Sequence, residues 1–241
     1  MSNYQPSSEE LKMSCVEPLL DTWGAKKNGA DWCISPAVDL TNSTVKERNT
    51  WLAEAMMSTI KAFAPLARAY RIYFDPIEKI DKLSQGEPAD DVIDGILMQW
   101  DFEESYETYL ERAFQALKSY PLDIYILYID IDLFVYVRTQ KSLNKPFRTW
   151  VRRLSESIVI AKLQISLDDL MNYEPFLYFA MGHTLIYPYY DKFDDDNTEL
   201  FELNRPLLAA ALRNWEQAFN FEIETEGFPG IYKYGFLPGN Q

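Results

Sequence analysis

Two carboxylates, Asp130 and Asp132, stand two residues apart inside the run D-I-Y-I-L-Y-I-D-I-D-L-F-V-Y-V of residues 123–137. A strand points alternate side chains to the same side, so the two share a face. Ile124, Ile126, Tyr128, Phe134 and Tyr136 lie on that face with them. The opposite face carries Tyr125, Leu127, Ile129, Ile131, Leu133, Val135 and Val137. Paired hard-oxygen ligands can hold a divalent metal for phosphoryl chemistry. Without a metal, carboxylates on a largely buried face need a cationic neighbour, or water at a sheet edge, to offset their desolvation.

Asp130-Ile131-Asp132-Leu133-Phe134 resembles the metal-binding strand of diguanylate cyclases, whose pattern is Asp-apolar-Asp-x-Phe. The resemblance implies a divalent metal at nucleotide phosphates, held by Asp130 and Asp132. It spans five residues. The Gly-Gly-(Asp/Glu)-Glu-Phe hairpin of that family does not follow, and the Lys and Asn-Asp found just after its strand are also missing. The expectation is therefore a structural aspartate pair, with no metal and no cofactor.

The other reactive residue types form no recognisable constellation. His183 is the single histidine, which excludes a two-histidine zinc helix, and no G-x-S-x-G elbow presents a nucleophile to it. Cys15 and Cys33 have neither the spacing of a redox pair nor histidine partners. Asp191, Asp194, Asp195 and Asp196 form an acidic loop. Counted from Asp194, its sixth and twelfth positions are Glu199 and Arg205, where a calcium loop needs Gly and Glu. Nine glycines in the whole chain leave little material for a phosphate-binding loop.

The formal net charge of -14 opposes contact with nucleic acid or anionic lipid and favours a basic protein partner. The charge is uneven. Residues 138–162 hold seven basic residues and one acidic, between the acidic stretches 72–111 and 163–226. Internal neutralisation of this basic stretch is expected. No stretch is long and apolar enough for a membrane span. The start M-S-N-Y-Q-P-S-S-E-E lacks the basic and apolar parts of a signal peptide, so a cytoplasmic location with reduced cysteines is expected.

The elements that must position these groups follow from periodicity. Helices are expected over residues 45–69, with Thr41 or Ser43 as cap and Pro65 kinking it or ending its first part, and over 103–120. Two more are expected over 144–163, with Phe147, Trp150, Val151, Leu154, Ile158 and Ala161 as its stripe, and over 199–219. Residues 166–175 offer a further helix start. Residues 24–36 and 75–94 read as loops, and 93–100 and 176–190 are ambiguous. Residues 72–74, 123–137, 221–224 and 231–236 read as strands. The fold expected is α+β and mostly helical, with a small sheet centred on 124–137 and completed by a C-terminal hairpin. It forms one domain over residues 1–241, of which the first forty or so are loosely patterned.

Acidity, 36 aromatic residues and no catalytic signature point to a non-enzymatic acidic binding protein. An immunity-type or phage-encoded inhibitor of a basic or nucleic-acid-processing protein fits. Its expected contact residues are Asp101, Glu103, Glu104 and Tyr106 in one acidic arm and Asp191, Asp194, Asp195 and Asp196 in the other. The alternatives are a metal-dependent phosphoryl-transfer enzyme, or degenerate relative, using Asp130 and Asp132, and a structural or assembly protein.

Overall fold

The computed structural model describes residues 5–16, 30–78, 96–139, 145–162, 164–165, 171–172, 174–181, 198–227 and 231–236. In chain order the elements are α1 (Ser8–Leu11), β1 (Ala30–Ile34), α2 (Val45–Phe63), β2 (Ala67–Pro76), β3 (Ile96–Gln99), α3 (Tyr106–Ser119), β4 (Ile124–Val137) and β5 (Phe147–Ala161). They continue with β6 (Gln164–Ile165), β7 (Met171–Asn172), β8 (Phe176–Met181), α4 (Thr198–Phe219), β9 (Glu224–Gly227), β10 (Ile231–Tyr232) and β11 (Gly235–Phe236).

A seven-stranded sheet organises the described residues, in the order β3-β2-β4-β5-β8-β1-β9. Every pairing in it is antiparallel. The mostly helical reading is thereby overturned. The largest correction is residues 144–163, which form the strand β5 instead of a helix. The physical reason lies in a bulge. Leu133 pairs with Val151 and Ile129 with Ile158, so the chain between Val151 and Ile158 is longer than its partner in β4. The excess shifts the inward parity. Both Val151 and Ile158 face the core, although an odd number of steps separates them. The resulting spacing imitates a helical stripe.

Other boundaries move for local reasons. α2 is capped by Thr44, whose Oγ1 accepts from the Glu47 N–H at 3.3 Å while Glu47 Oε2 accepts from the Thr44 N–H at 2.7 Å. It stops at Phe63, before Pro65, and the chain turns directly into β2. β2 is longer than residues 72–74, and the loop expected over 24–36 contains β1, an inner strand. The C-terminal hairpin does not complete the large sheet: β9 joins it on β1, while β10 and β11 pair only with each other. The helix start at 166–175 falls largely outside the described residues. α3 and α4 lie where helical periodicity places them, and α4 keeps Pro206 inside it.

α2, α3 and α4 cover one face of the sheet. Their buried residues form a single cluster with Trp32, Ile129, Leu133, Val135, Ile158 and Phe179 of the strands. Phe63 sits edge-on to Phe179 and Trp215, and the Trp215 indole donates to Thr59 Oγ1 at 3.1 Å. No helix among the described residues is long and apolar enough to cross a membrane.

Candidate functional site

β4 presents its aspartates on the face turned away from the helices. A bulge opposite Pro76 turns Ile124 into the core, but from Leu127 to Val137 the two faces alternate as the sequence pattern requires. Both carboxylates meet arginines from neighbouring strands. Asp132 accepts from Arg68 Nε on β2 at 3.0 Å, and from Nε and Nη2 of Arg152 on β5 at 2.9 and 3.2 Å. Arg68 and Asp132 have fully buried side chains. Asp130 accepts from Arg71, again on β2. Burial pushes the Asp130 carboxyl up, opposed by the Arg71 guanidinium.

The N-terminal segment, residues 5–16, straps the Asp132 end of this face. Arg68 donates to the carbonyls of Leu11 and Met13, the latter at 3.0 Å, and lies 3.5 Å from Cys15 Sγ. The Trp150 indole donates to the Glu10 carbonyl at 2.6 Å, and the Val16 N–H donates to the Trp150 carbonyl at 2.9 Å. Burial first, and then the nearby Asp132, pushes the Cys15 thiol up to about 11. Cys15 and Cys33 form no disulfide.

Toward the other end of β4 the outer face carries a continuous transverse row. Register places Leu97, Tyr73, Tyr128, Val159, Tyr178, Cys33 and Glu224 side by side, one from each of the seven strands. Directly opposed residues share a face. None of the seven is buried, and Leu97 is 59% exposed. The Tyr73 and Tyr128 rings stack with centroids 4.7 Å apart and planes within 12°. Reading single segments misses this row, since only strand register brings it together. The one local signal was Tyr128 on the aspartate face of β4.

A second polar knot lies at the core boundary. Lys162 donates to Asn49 Oδ1 at 3.0 Å and to Asp123, which also accepts from Arg48 at 2.7 Å. Asn49 in turn donates to the carbonyls of Tyr120 and Leu122 and accepts from the Ile124 N–H. Burial lowers the Lys162 pKa to about 8, against the pull of Asp123. This knot fixes the start of β4 against α2.

The expected contact residues are scattered in role. Asp101 and Glu103 are exposed, with the Glu103 N–H donating to Asp101 Oδ1 at 3.0 Å. Glu104 accepts from Arg112 at 2.5 Å, and the Tyr106 hydroxyl accepts from the Ala69 N–H at 2.8 Å, a tie between α3 and β2. Asp191, Asp194, Asp195, Asp196 and His183 lie outside the described residues. Of the basic stretch, Arg152 and Lys162 pair with Asp132 and Asp123, and Arg138 with Glu199. Arg148 donates to the carbonyls of Phe134 and Pro65. Lys141 and the Arg153 side chain lie outside the described residues. No cluster of three or more metal-ligating side chains occurs among the described residues. Comparison with family models, with curated proteins and with solved structures found no match to this chain.

Proposed function

We propose that this protein is a non-enzymatic binding protein that works by engaging a basic protein partner. The observation that carries this reading is the commitment of Asp132. Both of its oxygens accept from guanidiniums, three contacts from two arginines, and one of those arginines is fully buried. A metal would have to enter a field of two fixed cations and strip the carboxylate from a buried charge, which is strongly unfavourable. The carboxylates most suited to phosphoryl chemistry thus serve to join β2, β4 and β5. The net charge of -14 supports fast encounter with a partner of opposite sign. An inhibitor of a basic or nucleic-acid-processing protein, acting in the reducing cytoplasm, fits both the charge and the unlinked cysteines.

Calorimetry with magnesium and manganese tests the negative half. Binding should be no tighter than about millimolar, near 4 kcal/mol. Micromolar binding lost in Asp130→Ala would revive the enzyme reading. Affinity capture from the native host, followed by kinetics at two salt concentrations, tests the positive half. Association should slow as salt rises, and an acidic partner would refute the reading.

A further inference from the structure

We propose that the half of the outer sheet face beyond the N-terminal strap, centred on Leu97, Tyr73 and Tyr128, is the docking surface for an arginine-bearing segment of the basic partner. The proposal rests on the binding-protein reading and names its surface and the chemistry it recognises.

The first support is a ladder of arginines over aromatic rings on this same face. Arg68 lies 4.3 Å from the centroid of Trp150, Arg148 4.3 Å from that of Phe134, and Arg152 4.2 Å from that of Tyr70. Arg71 lies 5.5 Å from the centroid of Tyr73. A guanidinium is weakly hydrated, planar and attracted to the negative face of a ring, which favours each of these contacts, the Arg68 one fully buried. Along β4 the alternation runs Phe134, Asp132, Asp130, Tyr128. The chain's own arginines accompany the first three, and among the described residues none lies over Tyr128. Among the described residues the ladder therefore continues at Tyr128 as a ring with no arginine over it, stacked with Tyr73 and flanked by the exposed Leu97.

The second support is charge. Asp31, Asp75, Asp130 and Glu224 lie on this half of the face, where Asp130 pairs with Arg71, while Arg68, Arg148 and Arg152 lie toward the Asp132 end. An apolar and aromatic row among carboxylates suits a cationic segment. It supplies ring faces for guanidiniums, apolar area for their stems, and a field that draws them in. A second copy of this chain would bring the same negative charge and be repelled.

The probe is an arginine decapeptide, with lysine and glutamate decapeptides as comparisons, titrated into the isotope-labelled protein and followed by amide chemical shifts. The arginine peptide should perturb residues 71–75, 96–99 and 126–130 first, and bind more tightly than the lysine peptide. The glutamate peptide should not bind. Tyr128→Leu should weaken arginine-peptide binding by about tenfold, the scale of a partly desolvated cation–π contact. Leu97→Lys changes an exposed site and leaves the fold intact, so it guards against a folding artefact. It should weaken binding more than Glu103→Gln, which changes the charge by the same amount elsewhere. Shifts centred on residues 101–107, or equal losses in Leu97→Lys and Glu103→Gln, overturn this surface and leave the binding reading standing. A dimer seen by light scattering and lost in Leu97→Lys assigns the face to a second copy and likewise overturns the proposal. Failure of every cationic peptide, together with failure to capture a basic partner, overturns both.

Discussion

Arg68 donates through Nε to Oδ2 of Asp132 at 3.0 Å, and neither side chain is exposed. A buried ion pair of this kind is weak evidence for stability but strong evidence for constraint, because removing one member strands the other. Arg68 also holds the carbonyls of Leu11 and Met13, so the pair fixes both the registry of β2 on β4 and the course of the N-terminal segment.

The two aspartates of β4 should therefore respond differently to substitution. Asp132→Asn leaves the buried Arg68 with an uncharged partner and should destabilise the protein by about 3 kcal/mol or more. Asp130→Asn frees Arg71, whose side chain is 37% exposed and can turn to water. It should cost no more than about 1 kcal/mol. Urea unfolding of both variants checks this, and equal losses would contradict the assignment.

Trp150 ties the strap to β5 through its indole N–H. Trp150→Phe removes that hydrogen bond and should lower stability by about 1–2 kcal/mol. Proteolysis between residues 5 and 16 should become faster in the same variant, since the local contacts weaken before the sheet does. Limited digestion read by mass spectrometry measures both the site and the rate.

Lys162 carries a pH signature. Its pKa is lowered from 10.5 to about 8 by burial. Above the folded pKa and below the unfolded one, the unfolded chain binds more protons than the folded chain, so the contribution of this residue to stability rises with pH across that window. The stability difference between the native chain and Lys162→Met should shift in favour of the native chain between pH 7.5 and pH 10. A constant difference in urea midpoints would show that Lys162 titrates as an ordinary lysine.

Cys15 should be a sluggish nucleophile. With its pKa pushed up to about 11, the thiol stays protonated at pH 8, and the thiolate is the reactive form. Alkylation by iodoacetamide at pH 8 should run at least about tenfold slower than for free cysteine. Peptide mapping after timed alkylation reads the rate, and fast modification would mean that the strap opens readily.

The sequence by itself determined the elements whose signals are local. Alternation in residues 123–137 specifies a strand with aspartates on one face. Helical spacing places α2 and α3, with Pro121 closing the second, although the spacing predicts the first to run on to residue 69 and α2 ends at Phe63. The structure decided what depends on contacts far along the chain. Residues 147–161 carry apolar side chains at helical intervals, yet they form a strand, because the long β4 offers a ladder of backbone partners and a bulge absorbs the extra residues. β1 has too short a pattern to be seen alone and is held by β8 and β9 on either side. The partners of Asp130 and Asp132 come from strands about sixty residues earlier and twenty later, and the row from Leu97 to Glu224 draws one residue from each of seven strands. Such a row has no period in the sequence. It exists only once hydrogen-bond register has set the strands side by side, because a slip of one residue in any of them would turn its side chains to the other face.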